Sequence, residues 1–193
     1  MDEHPEVALV YGRQVVFHSD QPPRAPRVQG PGHDSRVIPG SELIDSMCSA
    51  GANPVTTPTV LVRTSVQKQL GGYRPELPHT ADMELWLRFA SRGSIGVLSS
   101  DQAYKRLHSQ NMQLQYLGAN LGDLRQRRAA FATFFATHGH LAGRERLERR
   151  ARESLALEAF WAGNEAFEAG DPARCDGLMA FALETDPRLC RRP

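Results

Sequence analysis

The hydrophobic pattern changes period once, near residue 112, and that change limits the architectures open to the chain. Before it, short apolar runs punctuated by Gly and Pro alternate with short helical stretches. After it, apolar residues recur every three or four positions and β-rich runs almost vanish. The pattern predicts a mixed α/β part over residues 1–112 and an all-α extension over 113–193.

In the first part, Val7 to Tyr11 is an apolar run ended by Gly12 and reads as a buried strand. Gln14 to His18 reads as a second strand, with Val15 and Phe17 on one face. Ser19 to Gly40 carries Pro22, Pro23, Pro26, Pro31 and Pro39 and reads as a long loop. Ser41 caps a short helix bearing Leu43, Ile44 and Met47. After the Asn53-Pro54 break, Thr57 to Val62 reads as a strand. Thr64 caps a helical turn through Leu70, stopped by Gly71-Gly72. Thr80 or Asp82 opens the next helix, whose apolar face holds Leu85, Trp86, Phe89 and Ala90, and Gly93 ends it. Ile95 to Leu98 and Gln102 to Leu107 read as two more strands.

In the second part, Leu114 to Leu183 holds helix-forming residues almost without β-rich runs: Leu121, Leu124, Ala129, Phe131, Phe134 and Phe135 mark one helix, and Leu147, Ala151, Leu155, Ala159, Ala162 and Ala166 mark another. Gly170-Asp171-Pro172 is a turn with an N-cap and a proline at the first helical position. A third helix runs to about Thr185, and Pro187 stops it. Arg144, Arg146, Arg149, Arg150 and Arg152 alternate with Glu145, Glu148 and Glu153, the usual pattern of a solvated helix face.

Composition removes several function classes. A formal net charge of +1 gives no general attraction for nucleic acid or an anionic membrane. No apolar run approaches the ~18 residues that span a bilayer. Cys48, Cys175 and Cys190 are odd in number and widely spaced, which argues against a disulfide framework or a structural zinc site. The expected setting is cytoplasmic, with peripheral attachment at the inner face of the membrane as a second location.

Chemistry concentrates between Asn53 and Met112. The stretch contains Thr57-Pro58-Thr59-Val60-Leu61-Val62-Arg63, then Gly71-Gly72-Tyr73, then Asp82-Met83-Glu84-Leu85-Trp86-Leu87-Arg88, then Tyr104-Lys105-Arg106-Leu107-His108. Asp82 opens a helix, where a carboxylate serves as an N-cap or as a proton acceptor facing a cleft. Glu84, two residues on, falls about 200° around the helix and so on another face. Trp86 reads as a core residue. Arg88 reads as half of a structural ion pair, and Gly71-Gly72 as a helix stop.

In that order and spacing these segments resemble family 2 glycosyltransferases of the GT-A type, over roughly residues 1–112. The resemblance implies a partial GT-A sheet with helices and an inverting transfer of sugar from a nucleotide-sugar donor to a hydroxyl on a glycan or lipid-linked acceptor. Asp82 takes the place of the catalytic base. Trp86, Gly71 and Gly72 lie beside the acceptor. His108 stands where some GT-A enzymes complete a divalent-metal site, and imidazole suits Mn²⁺ better than Mg²⁺. Many family members carry Glu immediately before the base; this chain has Ala81.

No Asp-x-Asp occurs anywhere in the sequence, and its first residues match the stretch that follows that motif in the family. The resemblance therefore implies that the donor-binding half, with most of the metal site, is absent, and that this chain alone is inactive and holds no metal by itself. Residues 160–187 resemble one tetratricopeptide-like unit, and a plain helical hairpin fits them as well. The tail is the surface through which a protein partner would bind. A non-enzymatic helical interaction module on a vestigial α/β remnant is the competing reading, and an inert gene fragment is a third.

Overall fold

The computed structural model describes residues 1–18, 20–28, 35–111 and 120–191, with side chains through Leu189. Among these, a four-stranded mixed sheet ordered β2-β4-β1-β3 is combined with six α-helices. Strands β1 (Val7–His18) and β4 (Ser94–Leu107) run parallel at the centre. Strands β2 (Ser35–Ile38) and β3 (Leu61–Val62) pair antiparallel at the edges. A parallel pair requires a crossover. Here it is made by helices α1 (Gly40–Ala50), α2 (Thr64–Leu70) and α3 (Ala81–Ala90).

Several boundaries differ from the sequence reading. Gly12 does not end a strand, because β1 continues through it with register shifts on either side. Its N–H donates to Thr59 Oγ1 at 3.0 Å, and a Cβ there would stand 2.5 Å from Gln102 Cγ. The strand therefore bends at a bulge without losing its pairing. Likewise β4 is one strand where two were expected. Buried Asp101 at its middle accepts from Arg24 at 2.8 Å and from the Arg27 N–H at 2.7 Å, pinning the proline-rich loop to the sheet.

The Thr57–Val62 strand divides into a 3-10 turn (Thr57–Thr59) and the two-residue β3. Pro58 suits the first turn of a helix and has no N–H to give a ladder. Helix α1 starts at Gly40 after Pro39, and α2 after Arg63; neither Ser41 nor Thr64 makes a capping bond.

Helices α4 (Leu121–Thr137), α5 (Arg144–Glu168) and α6 (Pro172–Thr185) follow, then a 3-10 turn (Pro187–Arg191). The expected division near residue 112 lies outside the described residues. On either side of it the buried side chains form a single apolar cluster running from Ala8 to Ala182. Helix α4 packs on α3 and α5 on α1. Arg146 and Arg150 are not merely solvated: they reach Asp45 on α1 at 2.8 and 2.9 Å. These guanidiniums are about half exposed, so the pairs orient the contact more than they stabilise it.

The α5–α6 hairpin forms as its turn residues dictate. Gly170 has φ +75°, Asp171 accepts from Arg174 N–H at 3.0 Å, and Pro172 is the first helical residue. Among the described residues no helix is long and apolar enough to cross a membrane.

The closest approach in the core is backbone to backbone. A Cβ on Gly40 would lie 1.8 Å from the Ala90 carbonyl oxygen, where α1 starts against the end of α3. Gly40→Ala is therefore expected to lower stability by about 3 kcal/mol or more through overpacking, read by urea denaturation. A midpoint unchanged from the parent would show that the two helices do not meet there.

Candidate functional site

Helix α3 carries the candidate base Asp82, and residues outside the helix hold its first turn. Thr80 occupies the N-cap position, but its hydroxyl donates to the Gln126 carbonyl of α4 at 3.0 Å and leaves its own helix uncapped. The helix thus opens at Thr80, one of the two expected starts, and Asp82, as the second helical residue, is not its N-cap. One Asp82 oxygen accepts the neighbouring Met83 N–H at 2.7 Å. The other accepts the Thr57 hydroxyl at 2.6 Å. The two bonds fix the orientation of the carboxylate, and each oxygen keeps a second lone pair.

Asp82 lines one cavity and reaches a second through its Thr57 partner. One, of about 310 Å³, lies toward α4 and is lined by Asp82, Asn53, His79, Asp123 and Arg127. The other, of about 340 Å³, lies toward α2 and is lined by Thr57, Gln67, Gly72, Tyr73 and Trp86. Thr57 thus joins the second cavity to the carboxylate it holds.

The α4 side is a network of charged groups. His79 Nε2 and Asp123 Oδ1 are 3.0 Å apart, and Asp123 Oδ2 lies 2.7 Å from Arg127. Arg127 also donates twice to Glu158 on α5, at 2.6 and 2.8 Å, and to the Gly51 carbonyl at 2.9 Å. Burial alone would pull the Arg127 guanidinium down; its bonds to Glu158, followed by the Glu158 and Asp123 charges, outweigh that and push it up. Helix α4 of the tail thereby supplies one wall of the cavity that Asp82 lines, and Glu158 on α5 holds its Arg127 from behind.

The α2 side depends on Glu84, which is fully buried. As its angle on the helix requires, it points away from Asp82's partners. It accepts Arg88 Nε with both oxygens, at 3.0 and 2.9 Å, and Arg74 Nε at 3.0 Å. Arg88 is the structural ion pair expected of it. Its remaining N–H groups donate to the carbonyls of Leu70 and Gly72. Gly71, at φ +78°, makes the turn that this bonding demands. Added Cβ atoms on Gly71 or Gly72 would meet nothing within 4 Å, so only the dihedral angle of Gly71 requires glycine.

Trp86 is 4% exposed. Its ring meets Tyr73 edge-on at 6.3 Å and Phe89 at 6.0 Å. It is both core and cavity wall, and its Nε1–H has no acceptor. Tyr73 is half exposed above it. Burial, then the nearby Asp82 charge, pushes the Tyr73 hydroxyl above its ordinary value.

His108 lies elsewhere. It follows the end of β4, where Leu107 pairs with His18, about 20 Å along β1 from Gly12 at a rise of ~3.3 Å per residue. It is exposed, and its Nδ1 accepts the Gln110 N–H at 3.2 Å. Among the described residues no group of three or more His, Cys, Asp or Glu side chains is placed to hold a metal ion.

Thr57, Tyr73, His79, Asp123 and Arg127 are site residues that the sequence reading did not assign. The Asp123–Arg127 spacing of four is a visible ion-pair signal; the Thr57–Asp82 bond, 25 residues apart, has no local one.

No protein-family model, no curated protein and no solved structure matches the chain.

Glu84→Ala would leave the buried Arg88 guanidinium without its counter-charge and take one of two carboxylates from the part-exposed Arg74, and breaking a buried pair costs about 3–5 kcal/mol. The expected result is a large fall in thermal stability together with faster amide exchange at Gly71–Tyr73. Slow exchange there in a folded variant would show that the loop is held by something else.

Proposed function

We propose that the chain is the acceptor-side half of an inverting glycosyltransferase of the family 2, GT-A type, with Asp82 as general base. The observation that carries this reading is the Asp82 carboxylate itself. It sits in the first turn of α3 with each oxygen held by one hydrogen bond, in the wall of a cavity of about 310 Å³. The motif resemblance and the mixed α/β sheet support it.

In this reading the acceptor hydroxyl lies against Asp82. As its oxygen attacks the anomeric carbon of the donor sugar, its proton passes to a free lone pair of the carboxylate, and the nucleotide diphosphate leaves with the bonding pair. Thr57 and Met83 N–H keep the carboxylate aimed. Leu85 and Phe89 anchor the helix behind it in the core. Donor binding, and any metal at the diphosphate, belong to residues beyond this chain, and no step is assigned to His108.

A second reading keeps the helical tail as an interaction module. It is favoured by the exposed Trp161 and Phe167 on α5 and Leu183 on α6. The tail's tetratricopeptide-like character belongs to this reading.

Two results test the proposal. The purified 193-residue chain should release no UDP or GDP from nucleotide-sugars, with or without Mn²⁺. In the enzyme completed by its donor-binding half, Asp82→Asn keeps the Met83 N–H bond through its amide oxygen and contacts Thr57 with the direction reversed, its amide N–H donating to Oγ1, so the melting temperature should be retained. The variant should lose about a hundredfold to ten-thousandfold in transfer rate. An Asn variant that transfers sugar at the parental rate would make Asp82 structural and remove the base from the mechanism.

A further inference from the structure

We propose that the cavity where α2, α3 and α4 end binds a phosphate group, carried by a small phosphate monoester or by a lipid headgroup. The inference does not depend on reading Asp82 as a base, and none of the residues around Asp82's cavity lines this one.

The lining is cationic. The cavity holds about 300 Å³, and Arg74, Arg88, Arg92, His138 and His140 are in its wall. No carboxylate lines it among the described residues. Two carboxylates touch these arginines: buried Glu84 holds Arg88 and Arg74, and exposed Glu76 lies 3.5 Å from Arg74. The guanidinium left over is that of Arg92. It is exposed and makes no ion pair or side-chain hydrogen bond with the described residues.

Helix ends with free carbonyls ordinarily take up cations. The carbonyls at these three ends already have donors. That of Leu70 accepts from Arg88, that of Arg88 accepts the Ser91 hydroxyl at 2.7 Å, and that of Phe134 accepts the Thr137 hydroxyl at 3.1 Å. Arg92 and His140, with the Gln69 amide, therefore line the cavity as donors that the protein does not use.

His138 shows what the cavity favours. Its ring stacks on Phe134 at 4.4 Å, and its Nδ1 lies 2.9 Å from the Phe134 carbonyl. Burial pulls its proton affinity below the ordinary value against that carbonyl, and the His140 and Arg88 charges add to the fall. Added positive charge is repelled here and an anion is attracted. The His138 and His140 rings, 5.9 Å apart, would otherwise invite a metal ion. No third His, Cys, Asp or Glu joins them among the described residues, and three guanidiniums share the cavity.

The shape of the donor set selects phosphate over carboxylate. Gln69 comes from α2, Arg92 from the end of α3 and His140 from beyond α4. A tetrahedral group with three free oxygens can accept from all three directions, and charge-assisted bonds of this kind are the strong ones. A planar carboxylate has two oxygens to offer.

The full 193-residue chain, ¹⁵N-labelled, would be titrated with glucose 6-phosphate, with glucose and Ni²⁺ as controls. Co-sedimentation with phosphatidylcholine vesicles containing phosphatidic acid forms the lipid arm. Saturable binding is expected in at least one arm, and the arm that responds identifies the carrier. A soluble ligand should shift the amides of Ser91, Arg92 and Gly139. Arg92→Gln should weaken binding about tenfold, and His140→Gln about threefold. Both side chains are exposed, so these variants remain folded. Arg152→Gln, at an arginine lining a different cavity, should leave the affinity unchanged.

Failure of both arms would overturn the inference. So would parental affinity in Arg92→Gln, an equal loss in Arg152→Gln, an equal response to glucose, or binding of Ni²⁺ alone.

Discussion

A single buried carboxylate governs the geometry of the whole candidate site. Glu84 has no exposed surface, and two arginines compensate it, Arg88 from the next turn of α3 and Arg74 from the preceding loop. A buried charge left alone is costly, so the three side chains act as one unit. Through Arg88 that unit reaches the carbonyls of Leu70 and Gly72, which ties the end of α2 to the body of α3. The connection between the helices is thereby converted from a glycine-rich loop into a fixed wall. Tyr73 is set over Trp86 as a result, and a cavity exists where a flexible loop would have closed it.

The opposite wall is made by the helical extension, and the same logic applies. Arg127 joins Asp123, Glu158 and the Gly51 carbonyl, so α4, α5 and the end of α1 meet at one guanidinium. Thr80 gives its hydroxyl to α4 where a cap would have kept it. Together with the Asp45 pairs and the Ser154 bond to the Ser49 carbonyl at 2.7 Å, these contacts make the tail part of the site. An interaction module hanging from an α/β domain would not be expected to share its core, whereas here the apolar cluster is continuous from β1 to α6.

What the sequence made legible was local. The helix stops at Gly71 and Gly170, the cap-and-proline start of α6, the Glu84–Arg88 pair at a spacing of four, and the position of Asp82 at a helix start all follow from nearest-neighbour rules. What it hid was long-range. Gly12 looked like a strand end because glycine weakens strands. It is a bulge because Thr59, 47 residues away, takes over its N–H. Thr57 looked like strand because threonine favours β structure, yet Pro58 turned it into a helical turn that brings its hydroxyl to Asp82. The wall from α4 was invisible for the same reason: Asp123 and Arg127 form an ordinary helix pair in sequence, and only the fold delivers them to His79.

The stereochemistry of transfer tests the central claim most directly. A single carboxylate that accepts a proton while the acceptor attacks from the opposite face of the sugar must invert the anomeric centre. With the donor-binding half present and an acceptor supplied, the anomeric coupling constant of the first-formed product can be read by proton NMR. The account predicts inverted configuration, because Asp82 acts as a base and never bonds to the sugar. A product of retained configuration would contradict it, since retention requires a covalent intermediate or a front-face path in which Asp82 has no such role.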